Sequence, residues 1–209
     1  MTPRFSHGGK RAGASTGSRF GRHVTAVMAE QPLRFTLESD AVQDAEWRLY
    51  VGELVALDEV CDRISVARTT GAVREASRGR SPEREARTAL LDSVEAAPEA
   101  FRLDVSELDS EAQLGAPSEV DLADEIARIL TGNPFTTLGR SKREDVNHLA
   151  THVRQHRDVF VTSDVATLAK REGLAAVGLR VEDPDAALVL ARERCEEKGL
   201  PRPTSRGGM

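Results

Sequence analysis

Five acidic residues, Glu38, Asp40, Glu75, Asp145 and Asp164, each fall at the edge of a segment with regular patterning. Glu38 and Asp40 follow one apolar run, Asp164 ends a second, and Glu75 and Asp145 stand where helical patterns begin. Carboxylates held close together repel and raise one another's pKa unless a hard divalent cation that prefers oxygen compensates them. The chemistry on offer is therefore Mg²⁺ or Mn²⁺ binding. Such ions bind phosphate oxygens, activate water and stabilise charge on a leaving oxygen, and a pair of them serves in-line displacement at phosphorus. Taken singly, each acid has a plainer role: Asp145 and Asp164 as helix caps or first-turn residues, Glu38 and Asp40 as turn formers, Glu75 as a solvated helix residue.

Segments of alternating type carry these acids. Leu33 to Leu37 reads as a first strand, followed by a helix with Trp47, Val51, Leu54 and Val55 on its apolar face. Ile64 to Ala67 reads as a second strand, and Thr69 or Thr70 caps a helix holding Val73 and Glu75. Pro82 opens a helix through Leu91, Phe101 to Val105 is a candidate third strand, Asp104 to Glu119 reads as loop, and Val120 to Leu130 as helix. Beyond the Asn133-Pro134 turn come a helix from about Asp145, a strand over 158–161, a helix from Val165 to Glu172, a strand from Val177 to Val181, and a last helix from Asp183-Pro184 to Gly199. The run Val159, Phe160, Val161 has no polar alternation, which suits a strand buried on both faces, with Asp164 beyond its carboxyl end. Strands alternating with helices predict an α/β fold, a three-layer α/β/α sandwich with a central, mostly parallel sheet. Ligands of such sheets bind in the crevice at the strands' carboxyl ends.

A chain of 209 residues, 39% hydrophobic, supports one core rather than two full domains. Residues 1–30 carry five Lys/Arg and one Glu, so a basic, disordered extension is expected to precede an acidic domain over 31–199 and a disordered tail over 200–209. The arm also weakly resembles an organelle transit peptide, and both Met1 and Met28 are candidate starts. Cys61 and Cys195 lack any zinc-ligand spacing; one disulfide between them is open, but the absence of an apolar leader favours a soluble, cytoplasmic protein in a reducing compartment. No apolar run reaches membrane-spanning length. The dinucleotide, P-loop and nucleophile-elbow motifs are all absent. His148, His152 and His156 recur every four residues; His148 lies farthest from the Val146, Leu149, Val153 face, and the three read as a solvated or partly packed stripe.

Three blocks carry a resemblance. D-x-x-H-L-A at 145–150, D-V-F-V-T-S-D at 158–164 and G-L-R-V-E-D-P at 178–184 look like the C-terminal half of a PIN domain. L-R-F-T-L-E-S-D-A-V resembles the family's first strand, with Glu38 at a position usually Asp and Asp40 where Asn is common, and I-S-V-A-R-T-T-G-A-V-R-E-A places Glu75 on the family's next acid. The resemblance covers roughly 33–190 and is weakest between Arg78 and Arg140. It implies a metal-dependent ribonuclease, VapC-like, the toxin of a toxin-antitoxin pair. By position it makes Glu38, Glu75, Asp145 and Asp164 catalytic ligands of Mg²⁺ or Mn²⁺, with Asp40 adjacent. Thr162, Arg140, Lys142 and Arg143 become candidate contacts for the substrate backbone. Expected partners are RNA, an antitoxin protein and a second copy in a homodimer, with no membrane. The alternative is a PIN-like binding or regulatory module weakened in catalysis by Glu38; a small-molecule phosphohydrolase is a third reading.

Overall fold

The computed structural model describes residues 31–77, 83–97, 100–101, 113–114 and 117–196. The N-terminal extension, the C-terminal tail, Pro82, residues 102–105 and Gly199 lie outside the described residues.

Five parallel strands form the central sheet in the order β3-β2-β1-β6-β7. They are β1 (Leu33–Leu37), β2 (Ile64–Thr69), β3 (Ala96–Ala97), β6 (Val159–Val161) and β7 (Val181–Glu182). A separate parallel pair joins β4 (Ala100–Phe101) to β5 (Gln113–Leu114). The helices are α1 (Ala45–Val60), α2 (Thr70–Ala76), α3 (Arg84–Asp92), α4 (Pro117–Thr131), α5 (Arg140–Arg154), α6 (Val165–Leu168), α7 (Arg171–Ala176) and α8 (Pro184–Glu196).

The burial on both faces expected of Val159–Val161 is realised in β6, and neighbouring β1 shares its core. Phe35, Leu37, Val159 and Val161 point into a core shared with Val51 and Leu54 of α1 and Leu188 of α8. Phe160 points the other way, into a core with Ile126 of α4, Leu149 of α5 and Leu174 of α7. The sheet thus separates two apolar layers and the fold is α/β/α. Fully burying side chains of this size gives about 1.5–3 kcal/mol each.

Strand order fixes where a site can lie. The chain runs outward from β1 through β2 to β3, then returns to β6 on the other side of β1. Carboxyl ends of strands flanking such a reversal open a crevice, because their following loops diverge to opposite sides. Here that crevice lies between the ends of β1 and β6, which pair in register from Phe35 with Val159 to Leu37 with Val161.

Several boundaries differ from the sequence expectation. The third strand of the main sheet is Ala96–Ala97 rather than Phe101 to Val105: an edge strand of two small residues leaves no apolar signature. Phe101 belongs to the small second sheet, and the supposed loop holds β5 and the start of α4, where Pro117 takes the first-turn position that its missing N–H tolerates. Strand β7 covers only the end of Val177 to Val181, since Gly178, at φ 79°, turns the chain after α7. The helix from Val165 to Glu172 is two short ones, α6 and α7.

Cys61, capping the C-terminus of α1, is disulfide-bonded to Cys195 in the last turn of α8, with Cα atoms 6.2 Å apart. The pairing left open by the sequence is made, and it stands against the expected reduced state. Among the described residues, no helix is long and apolar enough to cross a membrane.

Candidate functional site

Beyond Leu37, β1 passes directly into a 3-10 turn, Ser39–Val42. Glu38 is the hinge between them: its backbone N–H donates to Val161 O (3.1 Å), which binds the turn to the end of β6, and the residue is only 6% exposed. Asp40 follows in the turn. The Ser163 hydroxyl donates to the Asp40 carbonyl (2.6 Å), tying the exits of the two strands together.

Glu75 lies in α2, whose N-cap residue Thr69 ends β2. The Ser39 hydroxyl donates to Glu75 Oε2 at 2.7 Å, so this acid is held against the β1 exit. Asp164 is the N-cap of α6: its carboxylate accepts from Ala166 N (3.1 Å), Thr167 N (3.2 Å) and the Thr167 hydroxyl (2.6 Å). Burial alone would raise the Asp164 pKa, but these bonds and nearby Lys142 hold it below the ordinary carboxylate value.

Asp145 is not at a helix start. Helix α5 begins at Arg140 with Gly139 as its cap, five residues before Asp145, because Arg140-Ser141-Lys142-Arg143 continues the helical turn without an apolar marker. Asp145 pairs instead with Lys142, Nζ to Oδ2 at 2.8 Å. That hydrogen bond raises the lysine pKa first, and the fields of Asp145, Asp164 and Glu38 add to it, so this ammonium stands among three of the acids.

Asp40 reports how close the set is. Its carboxyl is pushed up to about 6, first by burial and then by the charges of Glu38, Asp164, Glu75 and Asp145. All five acids singled out by sequence therefore share one electrostatic neighbourhood at the crevice beside β1 and β6. Among the described residues, however, no three His, Cys, Asp or Glu side chains stand close enough to hold one metal ion as they are oriented. The chemistry of the donor set fits a hard cation, as uncompensated carboxylate charge is what such an ion relieves. The rotamers do not yet close around one.

No known protein family matches the chain, and no curated protein matches it. The site stands on its own geometry.

The remaining candidates are distributed around it. Thr162 is fully buried, and its hydroxyl accepts from Asp164 N at 3.1 Å, closing the turn that presents Asp164. Arg140 lies along α5 with Nε 3.4 Å from Glu144 Oε1. Arg143 donates to Thr136 O (2.8 Å) and lies over the Phe135 ring, on the α4 side of its helix. Lys142 is tied to the acidic cluster through Asp145.

The histidine stripe departs most from expectation. His148 and His152 are both buried, while His156 is exposed at φ 51°, a left-handed helix-end position that Gly usually takes. The reason is that α5 is covered on two sides, by the α4 core and by the sheet, so the face that reads as polar lies against β1. His152 Nδ1 is 2.9 Å from Thr36 Oγ1, and its ring meets Phe160 edge-on. His148 reaches the acids: Nδ1 is 3.7 Å from Glu38 Oε1 and Nε2 is 4.0 Å from Glu75 Oε1. Spacing by four from His152, which faces a central strand, is the signal that would have placed it there.

Proposed function

We propose that the chain is a Mg²⁺/Mn²⁺-dependent endoribonuclease of PIN type, hydrolysing RNA phosphodiester bonds at the crevice between β1 and β6. The observation that carries this reading is Asp40, whose carboxyl is raised to about 6 by burial and by Glu38, Asp164, Glu75 and Asp145 together. Five clustered acids at the switch point of a parallel sheet, with Lys142 among them, suit a site for a cation and an anionic substrate better than they suit stability.

Glu38, Asp40, Glu75, Asp145 and Asp164 would hold the ion. When bound, such an ion stabilises negative charge on phosphate oxygens and lowers the cost of ionising water at neutral pH. Asp40, raised to about 6 by burial and by the other four acids, is the carboxylate whose charge a bound cation would compensate. Lys142, kept protonated by Asp145, offers an ammonium to a phosphate, and Arg140 and Arg143 extend positive charge along the same helix. Asp164, anchored by the first turn of α6, supplies a fixed carboxylate edge.

The assay is RNA cleavage by the full chain with Mn²⁺ or Mg²⁺, expected to vanish in Asp145→Asn and Asp164→Asn. Wild-type protein that stays inert on several RNAs would sink the reading. A toxin role, with an antitoxin partner and a homodimer, is the finer proposal, and a short open reading frame directly upstream of the gene would support it. The second reading is a binding or regulatory module. It is favoured by side chains that do not close around an ion among the described residues and by Glu38 in place of Asp. Calorimetry separates the two: no heat of Mn²⁺ binding favours the module.

A further inference from the structure

A buried imidazole has to be given partners, because an unpaired polar ring is costly away from water. His148 is 2% exposed, and its two nitrogens face two carboxylates supplied by different elements, Glu38 at the end of β1 and Glu75 in α2. At separations of 3.7 and 4.0 Å, beyond hydrogen-bond range, the ring fills the space between the two carboxylates. The other oxygen of Glu75 is held by Ser39, the neighbour of Glu38. Glu38, His148, Glu75 and Ser39 thus form a circuit that starts and ends at the β1 exit.

Room for the ring comes from Gly71. A Cβ at this residue would lie 2.8 Å from His148 Nε2 and 3.4 Å from Cε1. Gly71 stands in the first turn of α2, where no backbone angle requires glycine, so the missing side chain is explained by the space that it leaves.

We propose that His148 is a positioning residue of the carboxylate site: its imidazole sets the separation of Glu38 and Glu75, and Gly71 supplies the gap that admits it. The role rests on the crevice being the working site proposed above, and its first test does not depend on activity. Imidazole ¹⁵N spectra are compared for the wild-type full chain, Glu38→Gln and Glu75→Gln, which are near-isosteric changes. Glu38→Gln is expected to move the His148 Nδ1 resonance and Glu75→Gln the Nε2 resonance, with His152 unmoved as an internal reference. If neither substitution shifts His148, the proposal is overturned, whether or not the protein binds a metal or cuts RNA.

The second test is Mn²⁺ titration of His148→Asn, His148→Gln and His148→Leu. Asn places an amide near the position of Nδ1, Gln near that of Nε2, and Leu fills space without a polar atom. If the wild type binds Mn²⁺, Leu is expected to weaken binding about tenfold or more and Asn and Gln to recover part of it, as partners that orient metal ligands typically do. A Leu variant that binds as wild type does would overturn the positioning role and leave the nuclease reading standing. If the wild type binds no Mn²⁺, the nuclease reading fails and the imidazole spectra alone decide the role of His148.

Discussion

Asp40 and His152 are perturbed in opposite senses, and each makes stability depend on pH in its own window. Asp40 titrates near 6 in the fold against an ordinary 3.8, first because it is buried and then because four acids surround it. Below about pH 4 it is protonated whether folded or not; between 4 and 6 the unfolded chain has released the proton while the fold retains it, so stability falls as pH rises through this range. Asp40→Asn is therefore expected to melt higher than wild type at pH 8, with the gap narrowing towards pH 4; a gap independent of pH in thermal melts would refute it. His152 is lowered by burial, and then by Arg157, from 6.5 to about 3. Its neutral form contributes stability that is present above pH 6.5 and is lost as pH falls from there towards 3. His152→Leu should cost about 1 kcal/mol at neutral pH through the lost Thr36 bond, yet lose less than wild type between pH 6.5 and 4 in urea titrations. Glu38, Asp40 and Asp164 were legible in the sequence because each stands at an element's edge, whereas Asp145 lies inside α5. His148 was not, because its burial depends on β1 and α2 closing over α5, contacts far away in sequence.

At the scale of elements, the sheet's central members were legible and its margins were not. Leu33–Leu37 announces itself by the alternation of Leu33, Phe35 and Leu37 with polar residues, and Val159–Val161 by being apolar along its length, as suits a strand buried on both faces. Ala96–Ala97 and Val181–Glu182 are held by two pairs each, in positions that pairing rather than side chains dictates. Helix α5 shows the same limit in another form: its first turn, Arg140 to Arg143, is all polar, so apolar periodicity places the start too late and makes Asp145 look like a cap. Asp164 is the acid that does cap, and this permits its two roles to be separated. Asp164→Asn keeps one of the two oxygens that accept from Ala166 N and Thr167 N, whereas Asp164→Ala removes both and should cost about 1 kcal/mol. Chemical denaturation should rank Ala below Asn and wild type, while Mn²⁺ binding should be lost equally in both variants. An Asn variant as unstable as the Ala variant would mean that the charge of Asp164, not its cap, holds α6.

The whole molecule places its acids at the carboxyl end of the sheet and its covalent tie at a distance in the chain: Cys61 and Cys195 are 134 residues apart in sequence and join α1 to α8. These two helices cover one face of β1, and the bond closes a loop that contains Glu75, Asp145 and Asp164 of the acidic site, while Glu38 and Asp40 precede it. Cross-linking so long a loop removes much of the unfolded chain's freedom, about 5 kcal/mol in the chain-entropy treatment. Both sulfurs lie in residues that are buried and backed by Val51, Leu54 and Ala191, so the pair would stay adjacent as thiols after reduction. The expected result is a large stability difference with an unchanged fold. Urea unfolding with and without a dithiol should move the midpoint strongly, Cys61→Ser should reproduce the reduced value, and a dithiol should have no further effect on that variant. Two titratable thiols in air-purified protein after denaturation without reductant would show the bond unmade, and a midpoint indifferent to dithiol would show it energetically idle. In an oxidising setting the bond persists, while a reducing one leaves the same helices to hold by packing alone, so α8 and the strands it covers become the part of the fold whose stability is set by compartment.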